Sequence, residues 1–244
     1  MSTELNPSIT ERMVLNLDVG DLNSALNLVE KIGDYFTYVK VGSELYAESG
    51  AQAVDTLRDM GKKVFLDLKI HDIPNTVERS LRVHAKRGIA MATVHSAGGQ
   101  EMLLAARKGL DEGSEEGGFE PPILLAVTVL TSLPPDEMAF NSRLDLINKV
   151  GCDLVCSAHE VSAVMKKTEG VRALVPGIRL AGQDSGDQIR VATPYDAIFD
   201  GATWIALGRA VYASDDPLAA SAEVYDQVKA ALNDRETANL PINS

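Results

Sequence analysis

The chain has 244 residues, 45% of them hydrophobic and 24% charged, which excludes a largely disordered protein and supplies enough apolar side chains for one large core. Its 35 acidic residues outnumber its 23 lysines and arginines, and the formal net charge of -12 disfavours binding to nucleic acid or to an anionic membrane surface. The longest apolar stretch, Ile123–Leu130, is far shorter than the roughly 20 residues that cross a bilayer, so no membrane span is expected. The polar segment Met1–Arg12 is unlike a secretory signal, and the two cysteines, Cys152 and Cys156, suit a cytoplasmic protein with reduced thiols.

Short β-like runs alternate with longer amphipathic runs along the chain. Strands are predicted at Met13–Leu17, Phe36–Val41, Lys63–Lys69, Ala90–His95, Ile123–Val129, Asp153–Ser157, Ala173–Pro176 and Thr203–Leu207. Helices are predicted between them, for example at Leu22–Ile32, Glu44–Met60, Thr76–Arg87 and Asp136–Val150. Glycines that favour a left-handed C-cap follow several helices, at Gly33, Gly61, Gly88, Gly151 and Gly201.

This alternation, without a Pro/Ser-rich linker, predicts an α/β fold consisting of a single (β/α)8 TIM barrel. A doubly wound open sheet is the alternative, but the turn after the first strand reads Asp18-Val19-Gly20-Asp21 and not GxGxxG. We expect residues 1–12 to be an N-terminal extension, residues 13–232 to be the catalytic barrel, and residues 233–244 to be a polar, frayed tail.

Two segments depart from the repeat. Glu112–Pro122 is acidic and rich in glycine and proline, and we expect it to be a mobile loop without chemistry. Gly177–Arg190 follows the seventh strand, where barrels of this kind often bind phosphate, and we expect it to close over a ligand.

Charged residues occupy the predicted interior of the barrel at the carboxyl ends of three successive strands. Side chains alternate between the two faces of a strand, and apolar Val64, Leu66 and Leu68 suit the outer face. The residues placed inward by this alternation are Asn16, Asp18, Tyr38, Lys40, Phe65, Asp67 and Lys69. Asp72 follows at the start of the next loop.

Burying charges in this way is seldom a net gain in stability, so charges at the face where barrel enzymes bind substrates indicate a functional site. We expect Asp67 and Asp72 to flank Lys69 and to keep it as an ammonium. A fixed ammonium in a dry pocket suits stabilising a carbanion and then protonating it. A charge pair at ~4 Å contributes about 4 kcal/mol, so a very slow reaction also needs binding energy from a remote group such as phosphate.

The stretch Phe65–Thr76 reads FLDLKIHDIPNT and resembles the DxKxxD and IPxT signature of the orotidine 5'-phosphate decarboxylase family. Further matching segments follow the family's order between about residues 13 and 217, at Leu17–Asp18, Val39–Gly42, Val94–Gly99, Val127–Ser132, Val175–Arg179, Asp187–Pro194 and Leu207–Arg209. The resemblance implies a carboxy-lyase that converts orotidine 5'-monophosphate to UMP and CO2, the last step of pyrimidine nucleotide synthesis. It also implies that neither a metal nor an organic cofactor takes part.

The resemblance assigns roles to individual residues. Lys69 would face C6 of the pyrimidine and deliver the proton after CO2 leaves, and Asp67 would lie beside the departing carboxylate. Lys40 would bridge Asp67 and the ribose, whose hydroxyls Asp18 would bind. In this family the second aspartate of the signature completes the site of the neighbouring subunit, so Asp72, with Ile73 and Thr76, implies a homodimer. The remaining contacts would be Thr131 and Ser132 with the pyrimidine, and Arg179, Gln188, Gly208 and Arg209 with the 5'-phosphate.

The chain departs from the family pattern at Asn16, where we expect a small apolar residue, and at Met91–Thr93, which replaces a segment that usually contains aspartate. His95 is predicted to be a hydrogen-bonded core histidine, because no second ligand at metal spacing accompanies it. His71 is interpreted as hydrogen-bonded support and Trp204 as packing.

Two other functions stay open. A magnesium-dependent sugar-phosphate lyase of the same suprafamily also carries DxKxxD, but such enzymes tend to have glutamate at the position of Lys40, where it helps to hold the metal. A non-catalytic nucleotide-binding barrel is the third reading, and the presence of Asp67, Lys69 and Asp72 argues against it.

Overall fold

The computed structural model is a closed barrel of eight parallel strands surrounded by helices, and it describes residues 5–130, 132–134, 136–183 and 191–241. The strands are β1 (Met13–Asn16), β2 (Tyr38–Gly42), β3 (Lys63–Ile70), β4 (Met91–His95), β5 (Ile123–Val127), β6 (Asp153–Val155), β7 (Ala173–Val175) and β8 (Trp204–Leu207). The helices are α1 (Pro7–Thr10), α2 (Leu22–Ile32), α3 (Ser43–Ser49), α4 (Ala51–Asp59), α5 (Pro74–Ala85), α6 (Gly99–Gly117), α7 (Glu137–Val150), α8 (Ala158–Lys167), α9 (Pro194–Phe199), α10 (Arg209–Tyr212) and α11 (Pro217–Thr237). The predicted (β/α)8 barrel is confirmed. In the described part of the chain, no helix combines the length and the apolar character that spanning a membrane requires.

Each predicted strand forms within two residues of its predicted bounds. The predicted helix Glu44–Met60 is instead two helices, α3 and α4, because the chain turns at Gly50 with a φ of 57°. The predicted left-handed cap is wrong at Gly33, whose φ is -59° and which starts a short 3-10 turn, Gly33–Tyr35.

The prediction of a mobile loop at Glu112–Pro122 is wrong in its first half, because α6 continues to Gly117. The reason is close packing of α6 on α5. Gly109, Gly113 and Gly117 are spaced at four-residue intervals, and a Cβ atom on any of them would meet a carbonyl oxygen of α5 or of Lys86, which follows it. The glycines let the two helix backbones touch, and this tertiary contact outweighs their low helix propensity.

The carboxyl-terminal helix also extends further than expected. Helix α11 continues to Thr237, five residues into the segment expected to be a frayed tail. Arg235 holds this end in place, since it is only 5% exposed and its guanidinium donates hydrogen bonds to the carbonyl oxygens of Phe199 and Pro241.

The core has two layers, one between the strands and the helices and one inside the barrel. The inner layer consists of Val14, Tyr38, Phe65, Met91, Leu125, Val127, Val155, Leu174, Trp204 and Ala206. Val64 and Leu66 belong to the outer layer, as the alternation along β3 predicted. Trp204 is buried in the inner layer with the Arg172 guanidinium 4.9 Å from its ring, so it acts in packing. The inner apolar layer fills the barrel and leaves polar groups to its carboxyl end.

Candidate active site

Asp67 is the centre of a cluster of charges inside the carboxyl end of the barrel. It is buried near the end of β3 and accepts hydrogen bonds from Lys69 Nζ at 2.9 and 2.8 Å, one to each carboxylate oxygen. The Thr93 hydroxyl donates to Asp67 Oδ1 at 2.9 Å, and Lys40 Nζ lies 3.5 Å from Oδ2. The structure therefore brings Asp67, Lys69 and Lys40 together, as the sequence predicted.

Lys40 extends the cluster towards β1. Its ammonium donates to Asp18 Oδ1 at 2.7 Å, so charges alternate in the order Asp18, Lys40, Asp67, Lys69. The side chain of Lys40 is 9% exposed, whereas those of Asp18 and Lys69 are 43% and 42% exposed. Gly42 makes room for the Lys40–Asp18 pair, since a Cβ atom there would lie 2.9 Å from Lys40 Nζ and 3.0 Å from Asp18 Oδ1. The two ends of the cluster are thus open to a ligand while its middle is buried.

The electrostatic state of Asp67 follows from its neighbours. Burial by itself would raise the pKa of its carboxyl group. The ammonium groups of Lys40 and Lys69, with the hydrogen bonds from Lys69 and Thr93, outweigh burial and hold the pKa of Asp67 below its usual value. Asp67 is therefore a carboxylate at neutral pH.

The backbone at Lys69 has an uncommon conformation. Its φ is 47°, in the left-handed region that a non-glycine residue seldom adopts, and the register between β3 and β4 shifts between Leu66 and Ile70. Lys69 N donates to Thr93 Oγ1 at 2.9 Å, and the same hydroxyl donates to Asp67. Thr93 therefore fixes both the backbone of the lysine and the carboxylate beside it. Sequence reasoning missed this role, although the parity of β4 puts polar Thr93 on the inner face.

Asp72 and Ile73 lie on the loop between β3 and α5, and Thr76 lies in the first turn of α5. All three are exposed, Ile73 by 66%, and Asp72 Oδ1 accepts a hydrogen bond from Ile73 N at 2.7 Å. Among the described residues of this chain, the only ion pair of Lys69 is with Asp67. The expectation that Asp72 flanks Lys69 is therefore wrong within a single chain.

A cavity of about 620 Å³ adjoins the mouth between β4, the segment after β5 and α7. His95 lines it and is half-buried, so the prediction of a core histidine is wrong, although its Nδ1 does accept a hydrogen bond from Ala97 N at 3.3 Å. Burial, and then the nearby cations Arg143 and Lys69 and the His71 ring, lower the pKa of His95. His71 supports His95 by stacking, with the ring centroids 5.5 Å apart.

The other predicted ligand contacts lie at the same end of the barrel where the structure describes them. Gly208 directly follows β8, and Arg209 is exposed at the start of α10. Arg179 is half-buried after β7, with its guanidinium donating to the carbonyl oxygen of Ile178 at 2.8 Å. Ser132 is exposed after β5. Thr131 and Gln188 lie outside the described residues, as does the second half of the Gly177–Arg190 segment.

The donor set of the cluster suits charge stabilisation better than metal binding. No three His, Cys, Asp or Glu side chains are grouped to hold a metal ion in the part of the chain that the structure describes. Lys40 Nζ lies 2.7 Å from Asp18 Oδ1 and 3.5 Å from Asp67 Oδ2, so a positive charge already occupies the space between these two carboxylates.

A closed (β/α)8 barrel with alternating carboxylates and ammonium groups at its carboxyl mouth has the features of a (β/α)8-barrel enzyme, whose active site lies at that end. Residues 11–224 match the family described as "Orotidine 5'-phosphate decarboxylase / HUMPS family". The chain is a member of that family.

Individual relatives agree with this assignment. The chain is 41% identical over 239 residues to an orotidine 5'-phosphate decarboxylase of Streptococcus thermophilus, with 92% of this chain and 98% of the relative covered. It is 38% identical over 228 residues to an orotidine 5'-phosphate decarboxylase of Maridesulfovibrio salexigens, with 88% of this chain and 98% of the relative covered. The crystal structure of orotidine 5'-phosphate decarboxylase from Lactobacillus acidophilus superimposes with a TM-score of 0.77 at 33% identity, covering 89% of this chain and 99% of that one.

Proposed function

We propose that the chain is a carboxy-lyase that converts orotidine 5'-monophosphate to UMP and CO2, the last step of pyrimidine nucleotide synthesis. The observation that carries the proposal is the Lys69–Asp67 pair, with Nζ 2.8 Å from the carboxylate, at the mouth of a barrel related to named decarboxylases over nearly its whole length. The barrel, residues 13–232, is the catalytic domain, and the buried cysteine thiols suit a cytoplasmic location.

Catalysis follows from the two charges at the end of β3. The pyrimidine lies with its C6 carboxylate beside Asp67 and with C6 facing Lys69 Nζ. The bond from C6 to the carboxylate carbon breaks, CO2 leaves, and the electron pair remains on C6. Lys69 stabilises this charge as an ammonium and transfers a proton to C6, and the neutral amine then regains a proton from solvent. The ionised Asp67 fixes the position of the ammonium before the substrate binds.

The rest of the site binds the ribosyl phosphate. Asp18, at the open end of the cluster, binds the ribose hydroxyls, and the buried Lys40 beside it bridges Asp67 and the ribose. The proposed pyrimidine contacts are Thr131 and Ser132, and the proposed phosphate contacts are Arg179, Gln188, Gly208 and Arg209. Phosphate binding far from C6 supplies the free energy that a single ion pair cannot.

We propose that the reaction needs neither a metal nor an organic cofactor. In the magnesium-dependent alternative, the metal would have to approach Asp18 and Asp67 past the ammonium of Lys40, which lies 2.7 and 3.5 Å from their oxygens. Repulsion between the two cations disfavours that reaction here.

The test is a direct assay of the purified protein after treatment with a chelator. We expect the absorbance of orotidine 5'-monophosphate to fall at an undiminished rate, with UMP as the product. Activity that disappears with the chelator and returns with magnesium would favour the sugar-phosphate lyase. Tight UMP binding in calorimetry without turnover would favour the non-catalytic barrel.

We further propose a homodimer in which Asp72, Ile73 and Thr76 complete the neighbouring site. The support is their exposure on the loop between β3 and α5 and in the first turn of α5, and in the described part of the chain none of the three forms a hydrogen bond or ion pair with the charge cluster. Inactive Lys69→Ala and Asp72→Ala proteins, mixed under conditions that exchange subunits, should then regain activity, because a hybrid dimer has one intact site. A mixture that stays inactive although its subunits exchange would refute the shared site.

A further inference from the structure

Asn16 places an amide without hydrogen-bond partners at the edge of the active site. Its Oδ1 is buried and accepts no hydrogen bond, and no described residue bonds to its Nδ2. A half-buried amide that bonds to nothing within the described part of the chain costs stability at a site where an apolar side chain would not, so its presence at the mouth calls for an explanation. The mechanism proposed above does not use this side chain.

The position of Asn16 indicates what the amide faces. It is the last residue of β1, it shares the inner face with Val14, and it pairs in register with Lys40 on β2. On its other side, Asn16 Nδ2 lies 3.5 Å from the place that a Cβ atom on Gly208 would take, and the Tyr212 ring lies 3.7 Å from the same point. The amide is therefore at the corner between the ribose side of the mouth and the start of α10.

The orientation of the amide leaves a donor available. The side chain is half-buried, and Oδ1 is its enclosed atom, so Nδ2, on the side of Gly208, is the polar atom that is available to a ligand. An amide nitrogen donates to a phosphate oxygen in a charge-assisted hydrogen bond, which is stronger than a neutral one. Because the amide is uncharged, it adds this donor without disturbing the Lys40–Asp18 pair beside it.

We propose that Asn16 is a further substrate-binding residue, whose Nδ2 donates a hydrogen bond to the 5'-phosphate of the nucleotide beside Gly208. The proposal rests on the proposed function and deepens it. It also gives a reason for a polar residue at a position where a small apolar one was expected.

The experiment compares UMP and uridine, which differ only in the phosphate, on the wild-type protein and on Asn16→Ala. We expect the dissociation constant of UMP, measured by calorimetry, to rise about tenfold in the variant, which corresponds to about 1.4 kcal/mol. The inhibition constant of uridine in the decarboxylation assay should not change. Asn16→Asp, which keeps the shape and adds a negative charge, should weaken UMP binding further than alanine does.

Several outcomes would overturn the inference. An equal loss of affinity for UMP and for uridine would mean that the amide binds the ribose. Unchanged affinity for both would mean that the amide contacts no ligand. A fall in kcat with unchanged UMP affinity would mean that Asn16 acts through Lys40. Wild-type protein that binds no UMP would instead refute the proposed function, so the two failures are distinguishable. Should Asn16→Ala not fold, Asn16→Ser keeps the comparison, because its shorter hydroxyl cannot reach as far as the amide nitrogen.

Discussion

Removing the ammonium of Lys69 is the most direct perturbation of the proposed chemistry. The Nζ atom lies 2.8 and 2.9 Å from the Asp67 oxygens, so it is fixed before the substrate arrives. A carbanion at ~4 Å from this charge, with an effective dielectric constant of ~20, is stabilised by about 4 kcal/mol, or roughly a thousandfold in rate. Loss of the proton donor lowers the rate by roughly a further factor of 10²–10⁴. We therefore expect Lys69→Ala to lower kcat by at least about 10⁵.

The assay follows the absorbance of orotidine 5'-monophosphate under single-turnover conditions, with UMP binding as the check on folding. Lys108→Ala is the matched control, because Lys108 is an exposed lysine in the middle of α6 whose ion pairs, among the described residues, are with Glu78 at 2.6 Å and Glu112 at 3.7 Å. The control should retain full activity. If Lys69→Ala binds UMP and keeps more than about a tenth of the wild-type kcat, the electrostatic reasoning is wrong.

Three further predictions concern stability, each measured by urea denaturation. The pKa of Asp67 is lowered in the folded protein, so its carboxylate contributes stability that is fully present above the ordinary value of about 3.9 and is lost as pH falls through the folded value. The advantage of wild type over Asp67→Asn should therefore stay constant in the neutral range and shrink as pH falls below about 4, and a difference that stays constant there would contradict this. Gly113→Ala puts a methyl group against the carbonyl oxygen of Arg82 and should cost about 1–3 kcal/mol, whereas an unchanged midpoint would mean that α5 and α6 separate freely. Ser157→Ala removes half of the capping box formed with Glu160 at the start of α8 and should cost about 1 kcal/mol, with no loss expected if water replaces the hydroxyl.

The sequence was sufficient for the barrel and for most of the charge cluster. Strand parity alone places Lys40, Asp67 and Lys69 on the inner face, and parallel strands bring their carboxyl ends to one mouth. The contribution of Thr93 could not be foreseen in the same way. It depends on a shift in register between β3 and β4 and on the left-handed backbone at Lys69, and neither has a signal in residue pattern.

The two segments assigned wrongly show where composition misleads. The sequence from Glu112 onwards has the acids and glycines of a loop, yet Gly113 and Gly117 are helical because they pack on the neighbouring helix. In the same way, the polar tail continues as helix because Arg235 donates a hydrogen bond to the carbonyl oxygen of Phe199, at the end of the distant helix α9. Both outcomes depend on tertiary contacts that local patterns do not record.

The close fit of α6 on α5 has a consequence for the proposed homodimer. Helix α5 starts immediately after Ile73. The exposed loop that carries Asp72 and Ile73 is therefore attached to the closely packed pair of helices α5 and α6. A loop that is already ordered in the separate subunit loses little conformational entropy when a second subunit binds to it. Two such subunits would therefore associate as rigid bodies, without a folding step at the interface.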